Sequence, residues 1–98
     1  MDPSFQKHYV AGFFDAEGSA VLTGTAQPVL SIYSAELEKI LLLQELLDQW
    51  SIHSGKYKHA DRTVWQLFIT GRDNVKMFAN QLPIYHPEKK RRVDEILG

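Results

Sequence analysis

The stretch YVAGFFDAEGS, residues 9–19, decides the fold because it places two acids at the end of a helix. Gly18 stands where a residue in the left-handed conformation would end that helix. The pattern therefore predicts a short helix that ends at Asp15 to Glu17. The apolar side chains that recur at helical spacing are Phe5, Tyr9, Val10, Phe13 and Phe14.

The carboxyl end of a helix carries partial negative charge, which disfavours an exposed Asp or Glu there by roughly 0.3–1 kcal/mol. We therefore expect a positive group beside Asp15 and Glu17. Within the helix, Ala11 and Gly12 remove side-chain bulk, although Gly costs roughly 1 kcal/mol relative to Ala in a helix. A closely packed second helix would offset that cost. Two such helices side by side would bring their carboxylates together around divalent cations, which prefer oxygen ligands.

Residues 10–18, VAGFFDAEG, resemble the LAGLIDADG motif of homing endonucleases, with Glu17 in place of the second Asp. The resemblance implies an α+β fold of the αββαββα type, a curved four-stranded antiparallel sheet with helices on one face. The uncovered face would lie along the major groove of double-stranded DNA. Chains with a single motif act as two-fold homodimers in this family, so the target should be nearly palindromic. The expected interface residues, all on the motif helix, are Val10, Ala11, Gly12, Phe13 and Phe14.

Size and composition predict one folded domain over residues 1–98. Of these residues 44% are hydrophobic and none is cysteine, so disulfides and thiolate metal sites are excluded. The sequence shows no membrane span and no secretory signal, so we expect an intracellular protein of a prokaryotic cytoplasm or an organelle. A net charge of −1 is low for a protein that holds DNA. The dense basic cluster is Lys89-Lys90-Arg91-Arg92.

Alternation and turn signals predict the remaining elements. A hairpin is expected over residues 19–25 and 29–33, and a second helix from the N-cap Ser34 to about Trp50. Two strands follow over residues 52–60 and 63–70. Both faces of the second are partly apolar, because Val64, Gln66 and Phe68 alternate with Trp65, Leu67 and Ile69, and we favour the latter three facing the helices. Asp73 is expected to cap a third helix that Pro83 ends, and Pro87 to open a final helix.

By resemblance, the chemistry is hydrolysis of phosphodiester bonds assisted by divalent metal ions. Glu17 is the expected principal ligand of Mg²⁺, with Mn²⁺ or Ca²⁺ able to substitute in binding, and the backbone carbonyl of Ala16 is a further ligand. Asp15 is either a ligand or a residue that shapes the helix end. Each subunit would cut one strand and leave staggered 3′ ends. No small organic cofactor is implied.

The resemblance also implies catalytic residues outside the motif. Lys89 fits a basic residue beside the cleaved phosphate, with Lys90 as the alternative, although both also fit a solvated helix face. Ser34 would orient the hydrolytic water and Lys39 would lie near it. Ser34 departs from the usual Gln and fits a helix cap better than this role, and Lys39 fits a surface charge better.

The predicted DNA contacts come from the strands and turns. Lys56 and Lys58 share parity on one strand, so we expect both to point from the open face toward DNA. Arg62 would lie in the following turn. The further candidates are Thr23, Thr25 and Gln27 of the first hairpin, together with Gln66 and Lys90.

The sequence thus favours a homodimeric, sequence-specific DNA endonuclease that cuts a long, nearly palindromic site. One alternative is a cleavage-deficient relative that acts as a DNA-binding regulator or an RNA splicing maturase. Another is an α/β dimerisation domain that binds no nucleic acid.

Overall fold

The computed structural model describes residues 2–60 and 63–98, and in them the predicted order of helices and strands is confirmed. The final helix predicted at Pro87 follows the αββαββα series. The helices are α1 (Pro3–Glu17), α2 (Leu37–Gln49), α3 (Arg72–Gln81) and α4 (Pro87–Leu97). The strands are β1 (Gly18–Leu22), β2 (Pro28–Ser34), β3 (Gly55–Lys58) and β4 (Trp65–Thr70).

The strands form one antiparallel sheet in the order β1-β2-β4-β3. Leu30 pairs with Ile69 and Ile32 with Leu67, and all four side chains are buried. Because paired residues of antiparallel strands point to the same side, these pairs mark the face that the helices cover. The prediction that Leu67 and Ile69 face the helices is confirmed, and Trp65 packs at the margin of the same core.

The core joins this face of the sheet to the inner sides of the four helices. From α1 it receives Val10, Ala11 and Phe14, each without exposed surface. The ring of Phe14 meets that of Phe78 on α3 edge to face, with centroids 5.3 Å apart. Burying side chains of this size contributes roughly 1.5–3 kcal/mol each, so α1 is fixed firmly against the sheet. The buried residues of α2 and α4 are Ile40, Leu43, Leu46, Leu47, Val93 and Ile96.

Gly18 does not end α1 in the way that the sequence predicts. Its φ of −98° and ψ of 168° are extended, and it is the first residue of β1. The expectation of a left-handed residue is therefore wrong. Glycine is needed here for space, because a Cβ would lie 2.3 Å from Cδ1 of Phe14 and 2.5 Å from the carbonyl oxygen of Phe14.

Two predicted helix starts are also corrected. Ser34 is the last residue of β2, and the N-cap of α2 is Glu36. Strand pairing overrides the capping tendency of Ser34, because β2 stays paired with β4 as far as Ser34 and Trp65. Likewise α3 begins at Arg72 after Gly71, whose φ of +94° suits glycine, so Asp73 lies in the first turn and not at the cap.

β1, β3 and β4 are shorter than predicted, whereas β2 extends one residue further at each end. β1 ends at Leu22, where the chain turns with Thr23 N–H donating to the Gln27 carbonyl at 3.0 Å. β3 begins at Gly55 because Ile52, expected in the strand, is instead buried among the helices' apolar side chains just after α2.

Candidate active site and nucleic-acid face

The two motif acids at the end of α1 have different surroundings. Glu17 is the last residue of α1 and is exposed. Asp15 is half-buried, and its Oδ2 accepts a hydrogen bond from the backbone N–H of Tyr85 at 3.0 Å. Asp15 therefore holds the connection before α4 in place, whereas the carboxylate of Glu17 faces outward.

Lys89 supplies the positive group expected at this helix end. Its Nζ donates to the carbonyl oxygen of Phe14 at 3.2 Å and to that of Asp15. These carbonyls belong to the last turn of α1, where the helix dipole favours a cation. Lys89 reaches them because it lies in the first turn of α4, three residues after the N-cap His86. Lys90, the alternative, is exposed.

A second contact between the connection and α1 was not predicted. The hydroxyl of Tyr85 lies 2.9 Å from Nδ1 of His8, and the two rings are stacked with centroids 5.8 Å apart. The sequence signal for this contact was the spacing of His8 and Asp15. They are two helical turns apart and therefore lie on the same side of α1. Tyr85 thus contacts α1 at both His8 and Asp15.

The basic cluster on α4 is partly neutralised by acids of the same helix. Arg91 pairs with Glu88 at 3.2 Å and with Glu95 at 2.8 Å, and Arg92 pairs with Glu95 at 2.8 Å. The hydrogen bond that Arg91 donates to Glu88, together with the negative charge of Glu88, raises the pKa of Arg91 further above its usual value. Arg92 also donates from Nε to the carbonyl of Ala20 at 3.1 Å. The cluster therefore offers less free charge than the sequence suggested.

Ser34 and Lys39 both contact Glu36. The hydroxyl of Ser34 accepts from the Glu36 N–H at 3.1 Å, and Lys39 forms an exposed ion pair with the Glu36 carboxylate at 3.2 Å. Exposed pairs of this kind contribute little to stability. The predicted catalytic roles of Ser34 and Lys39 stay predictions.

The outer side of α1 carries a row of exposed or partly buried residues, of which Tyr9 and Phe13 also pack against the margin of the core. Phe5 is 60% exposed, and a Cβ added to Gly12 would meet no atom within 4 Å. We call this row the α1 stripe; its members are Phe5, Tyr9, Gly12, Phe13 and Ala16. Gly12 and Phe13 were predicted for a subunit interface.

The other three predicted interface residues are wrong in position. Val10, Ala11 and Phe14 have no exposed surface in the single chain, so they have none to bury against a partner. The helical repeat turns them toward the sheet, and this leaves the α1 stripe as the outward side.

The orientation predicted for Lys56 and Lys58 is also wrong. Lys56 pairs with Leu67 and Lys58 with Trp65, so both belong to the helix-covered face at the edge of the sheet. The ammonium of Lys58 lies 5.9 Å from the centre of the Trp65 ring. Parity alone could not choose the face, because pairing with β4 fixes it.

The uncovered side of the sheet, which we call the open face, is polar and aromatic. Its strand residues are Ser19, Val21, Val29, Ser31, Tyr33, Gly55, Tyr57, Gln66, Phe68 and Thr70. Among these described strand positions there is no Lys or Arg. The turn residue Arg62 lies outside the described residues. Thr23, Thr25 and Gln27 are exposed in the turn between β1 and β2.

A chain of hydrogen bonds crosses the open face. Nε2 of Gln66 donates to the Ser31 hydroxyl at 2.9 Å, and Oε1 of Gln66 lies 2.8 Å from Nε2 of His59. The His59 ring lies beside Tyr57 and Tyr33, at centroid distances of 5.1 and 6.3 Å. Sequence reasoning named Gln66 but missed Ser31 and both tyrosines. Their place on this face follows from the pairing of β2 and β3 with β4, which no local sequence signal gives.

The oxygen donors at the end of α1 are of the type that a divalent cation such as Mg²⁺ prefers. Glu17 provides an exposed carboxylate, and the backbone of Ala16 provides a carbonyl at the same end. Across residues 2–60 and 63–98, no three His, Cys, Asp or Glu side chains come together as a metal-binding group.

Comparison with known families gives the assignment. The family profile described as "LAGLIDADG-like domain" matches residues 4–83. The chain belongs to the LAGLIDADG-like family. The match includes the motif helix and the whole sheet.

Two relatives share sequence with this LAGLIDADG domain. Homing endonuclease I-ApeI of Aeropyrum pernix is 30% identical over 96 residues, which cover 97% of this chain and 42% of the relative. The ATP-dependent DNA helicase Hel308 of Methanocaldococcus jannaschii is 26% identical over 104 residues, covering 92% of this chain and 8% of the helicase. The LAGLIDADG domain thus spans less than half of either relative.

Solved structures share the fold. Homing endonuclease I-CvuI, in complex with the I-CreI target in 2 mM Mg with the DNA not cleaved, superimposes with a TM-score of 0.76 and 18% identity. That match covers 97% of this chain and 65% of I-CvuI. The archaeal intron-encoded homing endonuclease I-Vdi141I, complexed with DNA, gives a TM-score of 0.60 and 19% identity over 81% of this chain and 54% of its own. In the described part of the LAGLIDADG domain, no helix combines the length and apolar character needed to cross a membrane.

Proposed function

We propose that this LAGLIDADG domain acts as a homodimeric, Mg²⁺-dependent DNA endonuclease that makes a staggered double-strand cut in a long, nearly palindromic site. The observation that carries the proposal is the exposed carboxylate of Glu17 at the end of a helix whose outer side is free for a second copy. The names of I-ApeI, I-CvuI and I-Vdi141I support the same activity.

The α1 stripe supports the homodimer. Phe5, Tyr9 and Phe13 supply apolar surface, and the open space above Gly12 allows a second helix to approach closely. A two-fold axis through the stripe would bring the two α1 ends together, so that each chain contributes one Glu17. Gly12→Leu should therefore leave a folded monomer, as measured by sedimentation and circular dichroism. A Gly12→Leu protein that remains a dimer would contradict this interface.

In the proposed site, Glu17 and the Ala16 carbonyl of each subunit would hold the divalent ion. When bound, such an ion activates water and neutralises charge on the leaving oxygen. Asp15 is assigned a structural role, because one carboxylate oxygen already binds the Tyr85 N–H. Lys89 holds the carbonyls beside Glu17 and is also the residue proposed to lie near the cleaved phosphate. Ser34 and Lys39 are kept as candidates for orienting water.

The test separates cutting from binding. Wild type and Glu17→Gln are incubated with a library of randomised duplex DNA, in Mg²⁺ for cutting and in Ca²⁺ for binding. We expect wild type to cut selected sequences, and Glu17→Gln to bind the same sequences with cutting reduced at least about 100-fold, because an ionised ligand is lost. If both proteins cut equally, Glu17 has no part in the reaction.

A second candidate function is specific binding without cleavage, as a DNA-binding regulator or RNA splicing maturase. The uncharged strand positions of the open face and the Ser34–Glu36 contact favour it. Folded, dimeric wild-type protein that enriches a sequence in Ca²⁺ but cuts none in Mg²⁺ would support this candidate over the nuclease. Enrichment from an RNA library but not from duplex DNA would favour the maturase.

A further inference from the structure

Gln66 is held at both atoms of its side-chain amide. Nε2 donates to Ser31, and Oε1 faces Nε2 of His59. A carbonyl oxygen only accepts, so in this arrangement His59 carries its proton on Nε2. Gln66 itself is half-exposed on the open face, and its backbone is fixed opposite Tyr33 in the sheet. A surface glutamine of this length normally rotates freely, and here its amide is ordered before any ligand binds.

Ser31 is buried although it lies on the open face of the sheet. It is 3% exposed, and its hydroxyl faces Gln66. Ser19, its partner on β1, has the same side chain and lies on the same face but takes no part in holding Gln66. The rings of Tyr57 and Tyr33 lie beside the ring of His59 and limit its movement.

The held amide retains the groups that recognise one base. A side-chain amide has two N–H donors and two lone pairs, and the contacts to Ser31 and His59 use one of each. Within residues 2–60 and 63–98, one N–H and one lone pair remain. This is the combination with which glutamine binds N7 and N6 of adenine in the major groove, and such a pair distinguishes the correct base from others by about five- to 150-fold.

We infer that Gln66 selects an A·T base pair in each half of the target, and that Ser31 and His59 are positioning residues that fix its amide for this contact. The inference rests on the proposed function, because it needs the open face to lie in the major groove. It assigns sequence recognition at one position to a neutral side chain and not to the lysines of β3, which belong to the other face.

The experiment compares base preference among variants of the full chain. Wild type, Gln66→Ala, Gln66→Glu, Ser31→Ala and the matched control Ser19→Ala each select from a randomised duplex library in Ca²⁺. Circular dichroism melting is used to check that each variant is folded. We expect one symmetric pair of A·T positions in wild type and Ser19→Ala, and no preference at those positions in Gln66→Ala.

The two remaining variants test the details. Ser31→Ala should weaken the A·T preference about two- to tenfold, the effect of one hydrogen bond, and leave the other positions unchanged. Gln66→Glu should change the preference toward C·G, because a carboxylate accepts from N4 of cytosine. If Gln66→Ala and Gln66→Glu both select the wild-type sequence, the inference is wrong while the endonuclease proposal stands. If wild type selects no sequence, both are wrong.

Discussion

Replacing Lys89 with methionine tests whether this residue holds the end of the motif helix. Methionine has a similar length but carries neither the charge nor the N–H donors. Phe14 keeps a partner for its carbonyl, because the N–H of Gly18 also donates to it. The carbonyl of Asp15 loses the contact from Lys89 in a half-buried position.

The expected loss follows from these contacts. One hydrogen bond from a charged donor contributes about 1.5 kcal/mol at the low end of its range, which suits a half-buried lysine. Removing the cation from the negative end of the helix adds about 0.5 kcal/mol. The free energy of unfolding should therefore fall by about 2 kcal/mol, which lowers the melting temperature of a domain of this size by about 8–16 °C.

The assay is thermal melting followed by circular dichroism, without DNA and at one protein concentration, because dimerisation would otherwise change the apparent stability. The control is Lys90→Met, which removes the same charge from the neighbouring exposed position. Its melting temperature should stay close to that of wild type, since exposed substitutions usually change stability by less than about 0.5 kcal/mol. Equal melting of the two variants would refute the assigned role of Lys89.

Two further predictions concern the close contact at Gly18 and the orientation of β3. Gly18→Ala should lower the free energy of unfolding by about 1–3 kcal/mol, because the new Cβ overlaps Phe14. Gly24→Ala, with no atom within 4 Å of its Cβ, should change it by less than about 0.5 kcal/mol in urea denaturation. Lys56→Met should leave the salt dependence of duplex binding unchanged, as measured by fluorescence anisotropy, because Lys56 belongs to the helix-covered face. A decrease of about one in the log–log slope would show that it contacts a phosphate after all.

Much of the fold was predictable because the strongest signals are local. Helical spacing around Tyr9 and Val10 predicted α1, and Pro87 at the first position predicted α4. The sequence favoured the burial of Leu67 and Ile69, although both sides of β4 are partly apolar and pairing with β2 decided between them. Element ends were less predictable, since Ser34 and Ile52 have preferences that strand pairing and core packing override.

The candidate site was predictable in part. The sequence predicted a positive group at the end of α1 without naming it, and the structure places Lys89 there. The role predicted for Lys89 beside the cleaved phosphate stays a prediction. The sequence did not show that Asp15 would bind Tyr85, or that Ser31 and His59 would hold Gln66. These partners lie far apart along the chain, so no spacing rule connects them.

By itself, the sequence determined the family, the order of the elements and the presence of an acid at the motif end, because each depends on residues within a few positions of one another. Tertiary structure alone decided which side of α1 is free, which face Lys56 and Lys58 share, and why Gly18 must be glycine. Those properties depend on register and packing between segments, and a change of one residue in register would reverse every face. Strand register likewise determines which uncharged, hydrogen-bonded side chains share the open face.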